Sequence, residues 1–127
     1  MQVSFTRIFA DADGVSHFED VSVQLQQRLA AGSPGEPFYF APFLAAEGTI
    51  WVRVPSTWKD DQPHTSPQRH VVVTVRGEYQ VTAGDGSSRS FPPGSVLLLE
   101  DTRGLGHSTK ITSSEDAILF AIRLASL

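Results

Sequence analysis

The chain has 127 residues, 40% of them hydrophobic and 19% charged, with a formal net charge of −4, a pI near 5.4 and no cysteine. This is the composition of one ordinary globular domain over residues 1–127, and it excludes disulfides, thiolate metal sites and cysteine nucleophiles. The acidic balance, with no basic stripe, argues against nucleic acid and anionic membranes as partners; without a run near the ~18 apolar residues of a membrane span or a leader-like segment, the expectation is a cytoplasmic protein.

Ser4 to Ala10 alternates polar and apolar residues and stops at Asp11-Ala12-Asp13-Gly14, which predicts a strand and a turn. His17 to Leu25 carries Val21, Val23 and Leu25 on one parity and predicts a half-buried strand. Gln26 to Ala31 suits at most a helical turn, because Gly32, Pro34, Gly35 and Pro37 prevent a long helix and make this a loop. Phe38 to Leu44 is aromatic but interrupted by Pro42, so it suits an edge or a packing arm better than a central strand. Gly48 to Val54 predicts another strand, closed by Pro55, and Ser56 to Gln62 is a polar loop around Trp58.

The stretch from Pro63 to Gly94 holds both the strongest β signature and the candidate chemistry. His70 to Arg76, built on Val71, Val72 and Val73, reads as a buried strand; Gly77-Glu78 kinks it, and Tyr79 to Ala83 reads as the next. Gly84-Asp85-Gly86 predicts a hairpin into a partner strand with Arg89 and Phe91, and Pro92-Pro93-Gly94 predicts the corner before Ser95 to Leu99. After a loop over Glu100 to Gly106, His107 to Thr112 and Ala117 to Leu124 complete the set. Many short strands with no amphipathic helix define an all-β sandwich or barrel.

On an unbroken strand, His64 and His70 would share a face but stand about 20 Å apart at roughly 3.3 Å per residue. Pro67 lacks a backbone donor and fixes φ, so Thr65-Ser66-Pro67-Gln68 predicts a fold-back that would turn both imidazoles into one cavity.

The residues from His64 to His107 resemble the cupin superfamily, which implies a small jelly-roll barrel. His64 stands at the first His position of the first cupin motif, Ser66 where a second His is usual, and His70 where a Glu is usual. Pro93-Gly94-Ser95-Val96-Leu97-Leu98-Leu99 matches the start of the second motif and His107 its His, after a somewhat longer loop. Phe9 to Val21 and Glu100 to His107 also look like a subgroup of small single-domain bacterial cupins. The resemblance implies three imidazoles, His64, His70 and His107, around one divalent metal (Zn, Fe, Ni or Cu), similar to the three-His sites of thiol dioxygenases. It speaks to fold more than to function, because the superfamily hosts enzymes, storage proteins and sensory domains alike.

Around that centre, Ser66 and Gln68 are candidate cavity-lining groups or turn-satisfying ones, Tyr79 a packing or acid-base residue, and Trp58 a ligand-stacking residue or a lid. Glu100 or Asp101 either orients an imidazole or belongs to a solvated loop, and His17 reads as structural. No phosphate loop or Ser-His-Asp relay is evident. The functional expectation is a barrel binding a small, polar or acidic molecule, with or without metal; the aromatic arm would cover an open end of the fold in a monomer or cross to a partner in a homodimer, the expected state. The rival is a metal-free binding or sensory domain.

Overall fold

The computed structural model describes residues 1–28, 35–60 and 62–126. Among these residues the chain is all-β, with strands β1 (Gln2–Ala10), β2 (Ser16–Gln24), β3 (Gln26–Arg28), β4 (Phe38–Phe40), β5 (Ala46–Val54), β6 (His70–Arg76), β7 (Tyr79–Thr82), β8 (Ser88–Phe91), β9 (Val96–Glu100), β10 (Ser108–Ile111) and β11 (Ala117–Leu124). They form a six-stranded sheet in the order β2-β1-β9-β6-β11-β5, a three-stranded sheet in the order β10-β7-β8, and the pair β3-β4. The large sheet ends on β2 and β5 and does not close with the small sheet into a barrel. No described helix is long and apolar enough to cross a membrane.

Alternation decides what each sheet buries. Val72 and Thr74 of β6 point inward beside Leu97 and Leu99 of β9, while Tyr79 and Val81 of β7 face them from the small sheet. Ile8, Phe91 and Ile111 join the same core, and Phe18 closes one side with its ring 6.4 Å from that of Phe91. Two apolar inner faces stacked in this way make a β-sandwich core.

The outer face of the large sheet departs from the usual hydrophobic-in, polar-out pattern. In register across it lie Phe5↔Val21, then Val96↔Val73, Val73↔Phe120 and Phe120↔Trp51, none of them fully buried. Trp51 leans on Phe120 with ring centroids 4.8 Å apart and remains 64% exposed.

The predicted helical turn or loop after β2 is corrected in its first residues. Gln26–Arg28 is a strand, because Phe38–Phe40 returns antiparallel to it; residues 29–31 of that reading lie outside the described residues. This two-stranded arm leaves Phe38, Tyr39 and Phe40 exposed, followed by exposed Phe43 and Leu44.

His17 is structural, as expected. Its Nε2 donates to Asp11 at 2.6 Å and its Nδ1 to Asp85 at 3.0 Å, so the imidazolium ties the β1-β2 turn to the β7-β8 hairpin. The bond to Asp11, opposed by partial desolvation and reinforced by Asp85, holds the His17 pKa above its ordinary value. The same clamp holds both carboxyls below their usual range, with Ser87 the main cause at Asp85.

Candidate functional site

A cavity of about 400 Å³ lies between the sheets. Its floor is Val72, Leu97 and Leu99 of the large sheet, and its roof comes from two cross-strand pairs of the small one, Tyr79↔Ile111 and Val81↔Thr109. Trp58 sits at the mouth because Ile111 N donates to the Trp58 carbonyl at 3.1 Å, pinning the loop after β5 beside β10. That position is open to both roles expected of Trp58, a stacking surface and a lid. Arg53 reaches the rim, but its guanidinium is held by Asp116 through Nε at 2.8 Å and Nη2 at 2.7 Å.

The lining carries little polarity. Tyr79 is 4% exposed, and its hydroxyl is the buried side-chain polar atom without a hydrogen-bond partner among the described residues. Thr74 lies beside it: its hydroxyl donates to the Phe91 carbonyl at 3.3 Å and is 3.1 Å from Ser95 Oγ, and its oxygen keeps acceptor capacity toward the phenol. Burial pushes the Tyr79 phenol well up, more than contact with Thr74 brings it down, so it stays protonated.

A separate polar cluster forms where the chain folds back. His64 and His107 pair through reciprocal backbone hydrogen bonds of 2.9 Å, which places their rings 5.0 Å apart on adjacent segments. His107 Nδ1 donates to Asp101 Oδ2 at 2.5 Å, and Ser66 Oγ donates to the other carboxylate oxygen at 3.0 Å. His107 is 5% exposed and Asp101 fully buried, so this carboxylate is tolerated because donors fill its lone pairs. His64 is more exposed and rests its Nδ1 3.2 Å from Asp60 Oδ2. Each imidazole is thus oriented through Nδ1 by a carboxylate.

The fold-back expected at Ser66-Pro67 exists, but it joins His64 to His107 and not to His70. His70 donates Nδ1 to the Gln68 carbonyl at 2.9 Å and lines a second concavity with Glu47 and Arg123 toward the open β5 edge. Among the described residues no three His, Asp or Glu side chains are arranged to hold a metal. With His70 on a different concavity from His64 and His107, the residues present do not fit a three-imidazole site.

The other expected site residues divide the same way. Tyr79 and Trp58 line the cavity, whereas Ser66 is committed to Asp101 and lies in the buried cluster. Gln68 donates to Glu47 at 3.0 Å and to the Leu124 carbonyl at 3.1 Å, beside His70. Glu100 faces outward and bridges Arg7 at 2.5 Å and Arg69 at 2.9 Å. Burial works to raise its pKa, but the two arginines outweigh it and hold the carboxyl below its usual range.

Of the two alternatives for Asp101, orienting an imidazole or lying in a solvated loop, the structure has the first: Asp101 is buried and holds His107. Its signal was parity: Leu97, Leu99 and Asp101 alternate, so a carboxylate one step past β9 continues the buried face. Asp60 had a weaker one, four residues before His64.

No protein-family model matches the chain, and no curated protein matches it. Among solved structures it is similar to protein NMB1881 from Neisseria meningitidis, with 21% identity over 61% of this chain and 72% of that one and a TM-score of 0.47.

Proposed function

We propose that this chain is a small-molecule-binding domain of cupin type that acts without metal chemistry, its ligand enclosed between the two sheets. The observation that carries this reading is the cavity of about 400 Å³, which falls in the usual size range of ligand sites and has an almost wholly apolar lining. The jelly-roll assignment is supported by the facing of a β2-β1-β9-β6-β11-β5 sheet and a β10-β7-β8 sheet, with sequence neighbours β6 and β7 on opposite layers. The lining favours an apolar ligand over the polar or acidic one expected from sequence.

Titration with N-phenyl-1-naphthylamine, a neutral fluorophore that brightens in apolar surroundings, tests the reading. Saturable binding is expected, weakened by about tenfold or more in Thr109→Phe, whose ring would enter the cavity from β10. Binding that is unsaturable, or indifferent to that substitution with the fold intact by circular dichroism, overturns it.

We further propose that two copies associate through the outer face of the large sheet. The apolar band from Phe5 to Trp51 supports this, flanked by an ion-pair network in which Arg7 and Arg69 balance Glu19 and Glu100 and so leave no net charge to repel a second copy. The unpaired edge of β5 and the aromatic arm extend the same side of the argument. Sedimentation equilibrium should show a dimer that Phe120→Glu converts to a folded monomer; a wild-type monomer, or a dimer unmoved by Phe120→Glu, removes this face as the interface.

A further inference from the structure

Thr109 is the exception in the wall of the inter-sheet cavity. On β10 it alternates with buried His107 and Ile111 and stands opposite Val81 of β7, so its side chain belongs to the inner face of the small sheet. The strand is held on both sides. β7 pairs with it along one edge; along the other, the Thr109 carbonyl accepts from Asp60 N at 2.8 Å and Thr109 N donates to Asp60 Oδ2 at 3.0 Å. The side chain cannot turn to the outer face without breaking the sheet. Its hydroxyl makes no hydrogen bond with the described residues, yet it is not sealed off as the Tyr79 hydroxyl is, so it opens into the cavity that Thr109 lines. A valine of the same shape would complete this wall, and packing alone does not call for the oxygen.

The surroundings decide what that hydroxyl can meet. Val72, Val81, Leu97 and Leu99 give a ligand apolar contacts over most of its surface. Arg53 is the charged side chain of the lining, and Asp116 already neutralises it at the rim; Asp60, behind Thr109, is not part of the lining. An anion would be enclosed without a counter-charge and with a carboxylate behind the wall, and a cation would reach no carboxylate at all. A neutral molecule with one oxygen avoids both costs, and a threonine hydroxyl can donate to that oxygen.

Resting on the cavity-binding reading above, we propose that Thr109 is the specificity-determining residue of this cavity, and that its ligands are neutral, compact aromatic or alicyclic molecules whose single carbonyl or hydroxyl oxygen takes the hydrogen bond of the Thr109 hydroxyl. Hydrocarbons of the same shape also enter. Carboxylates of the same shape are excluded.

Acetophenone, ethylbenzene and benzoate differ little in size and separate these statements. Their binding is read from the chemical shifts of the Val81 and Leu97 methyl groups, in the wild type and in Thr109→Val, which keeps the β-branched shape and removes the hydroxyl. Ratios are compared, because a ketone gives up more hydration than a hydrocarbon on entry whatever the wall offers it. The ratio of acetophenone to ethylbenzene affinity is expected to fall about fivefold or more in Thr109→Val, in line with the loss of one hydrogen bond. Ethylbenzene should bind the variant at least as well as the wild type, which also shows the cavity intact, and benzoate should leave the methyls unshifted in both. An unchanged ratio, or benzoate binding more tightly than acetophenone, overturns the assignment to Thr109 and leaves the cavity reading standing; so does saturable binding of N-phenyl-1-naphthylamine when none of the three probes shifts the methyls. If that fluorophore fails as well, the cavity reading falls with it.

Discussion

Asp101→Ala is expected to destabilise the fold by about 3 kcal/mol or more, because each buried donor left without its acceptor costs about 1–3 kcal/mol. The carboxylate is fully buried and accepts from His107 Nδ1 and Ser66 Oγ at once, so alanine orphans two donors and opens a cavity beside β9. The Asp101 backbone is equally engaged, its carbonyl accepting from Ser66 N at 3.1 Å, which fixes the fold-back loop against the strand end. Asp101→Asn should lose roughly half as much, because the amide oxygen still accepts from His107 while Ser66 Oγ, an acceptor as well as a donor, can take the amide N–H. Ser66→Ala removes one donor and leaves the Asp101-His107 pair, so about 1 kcal/mol is expected. Urea unfolding of the three variants at unchanged m-value gives the order directly. A loss below about 1 kcal/mol for Asp101→Ala would mean that the cluster is decoration on a core that stands without it.

Much of the fold was written in alternation. The boundaries of β6 and β11, His70–Arg76 and Ala117–Leu124, coincide with runs of valine, isoleucine and leucine, and β7 to β9 follow from turns whose glycines and prolines leave few other conformations. Where parity was followed past the end of a strand it would also have found Asp101. What alternation cannot show is which of two apolar faces a second sheet will cover. The band from Phe5 to Trp51 and the set around Val72 and Leu97 look equally hydrophobic, and only tertiary assembly makes one the core and leaves the other outside. The site was less legible for a similar reason. His70, His64 and His107 share motif spacing, but a partner for each Nδ1 is chosen in space: the Gln68 carbonyl for one, carboxylates for the other two. Likewise Glu100 and Asp101 are adjacent in sequence, yet a strand sends neighbours to opposite faces, one to a pair of arginines and one to a histidine. Tyr79 read as a packing or acid-base residue on either face of its strand, and it is the facing of β7 onto the large sheet that buries it.

Gly106→Ala is expected to cost about 3–5 kcal/mol and to separate His64 from His107. Gly106 has φ of +73°, where a side chain is strained by about 1–2 kcal/mol in its own right. Beyond that, a Cβ here would land on the His64 carbonyl and the Thr65 nitrogen, which are backbone atoms and cannot rotate away. The loop must then lift, and the reciprocal His64-His107 backbone bonds, each contributing about 0.5–1.5 kcal/mol, lift with it. Gly86→Ala isolates the first contribution, since Gly86 has φ of +90° with no atom within 4 Å of the added methyl. Chemical unfolding should therefore show Gly106→Ala losing about 2 kcal/mol or more beyond Gly86→Ala. Amide hydrogen exchange supplies the local test: the His64 and His107 amides should exchange faster in Gly106→Ala at matched global stability, and remain protected in Gly86→Ala. Equal losses in the two variants, with both histidine amides still protected, would show that the fold-back loop has room at this point and that strand pairing, not close packing against Gly106, brings the two imidazoles together.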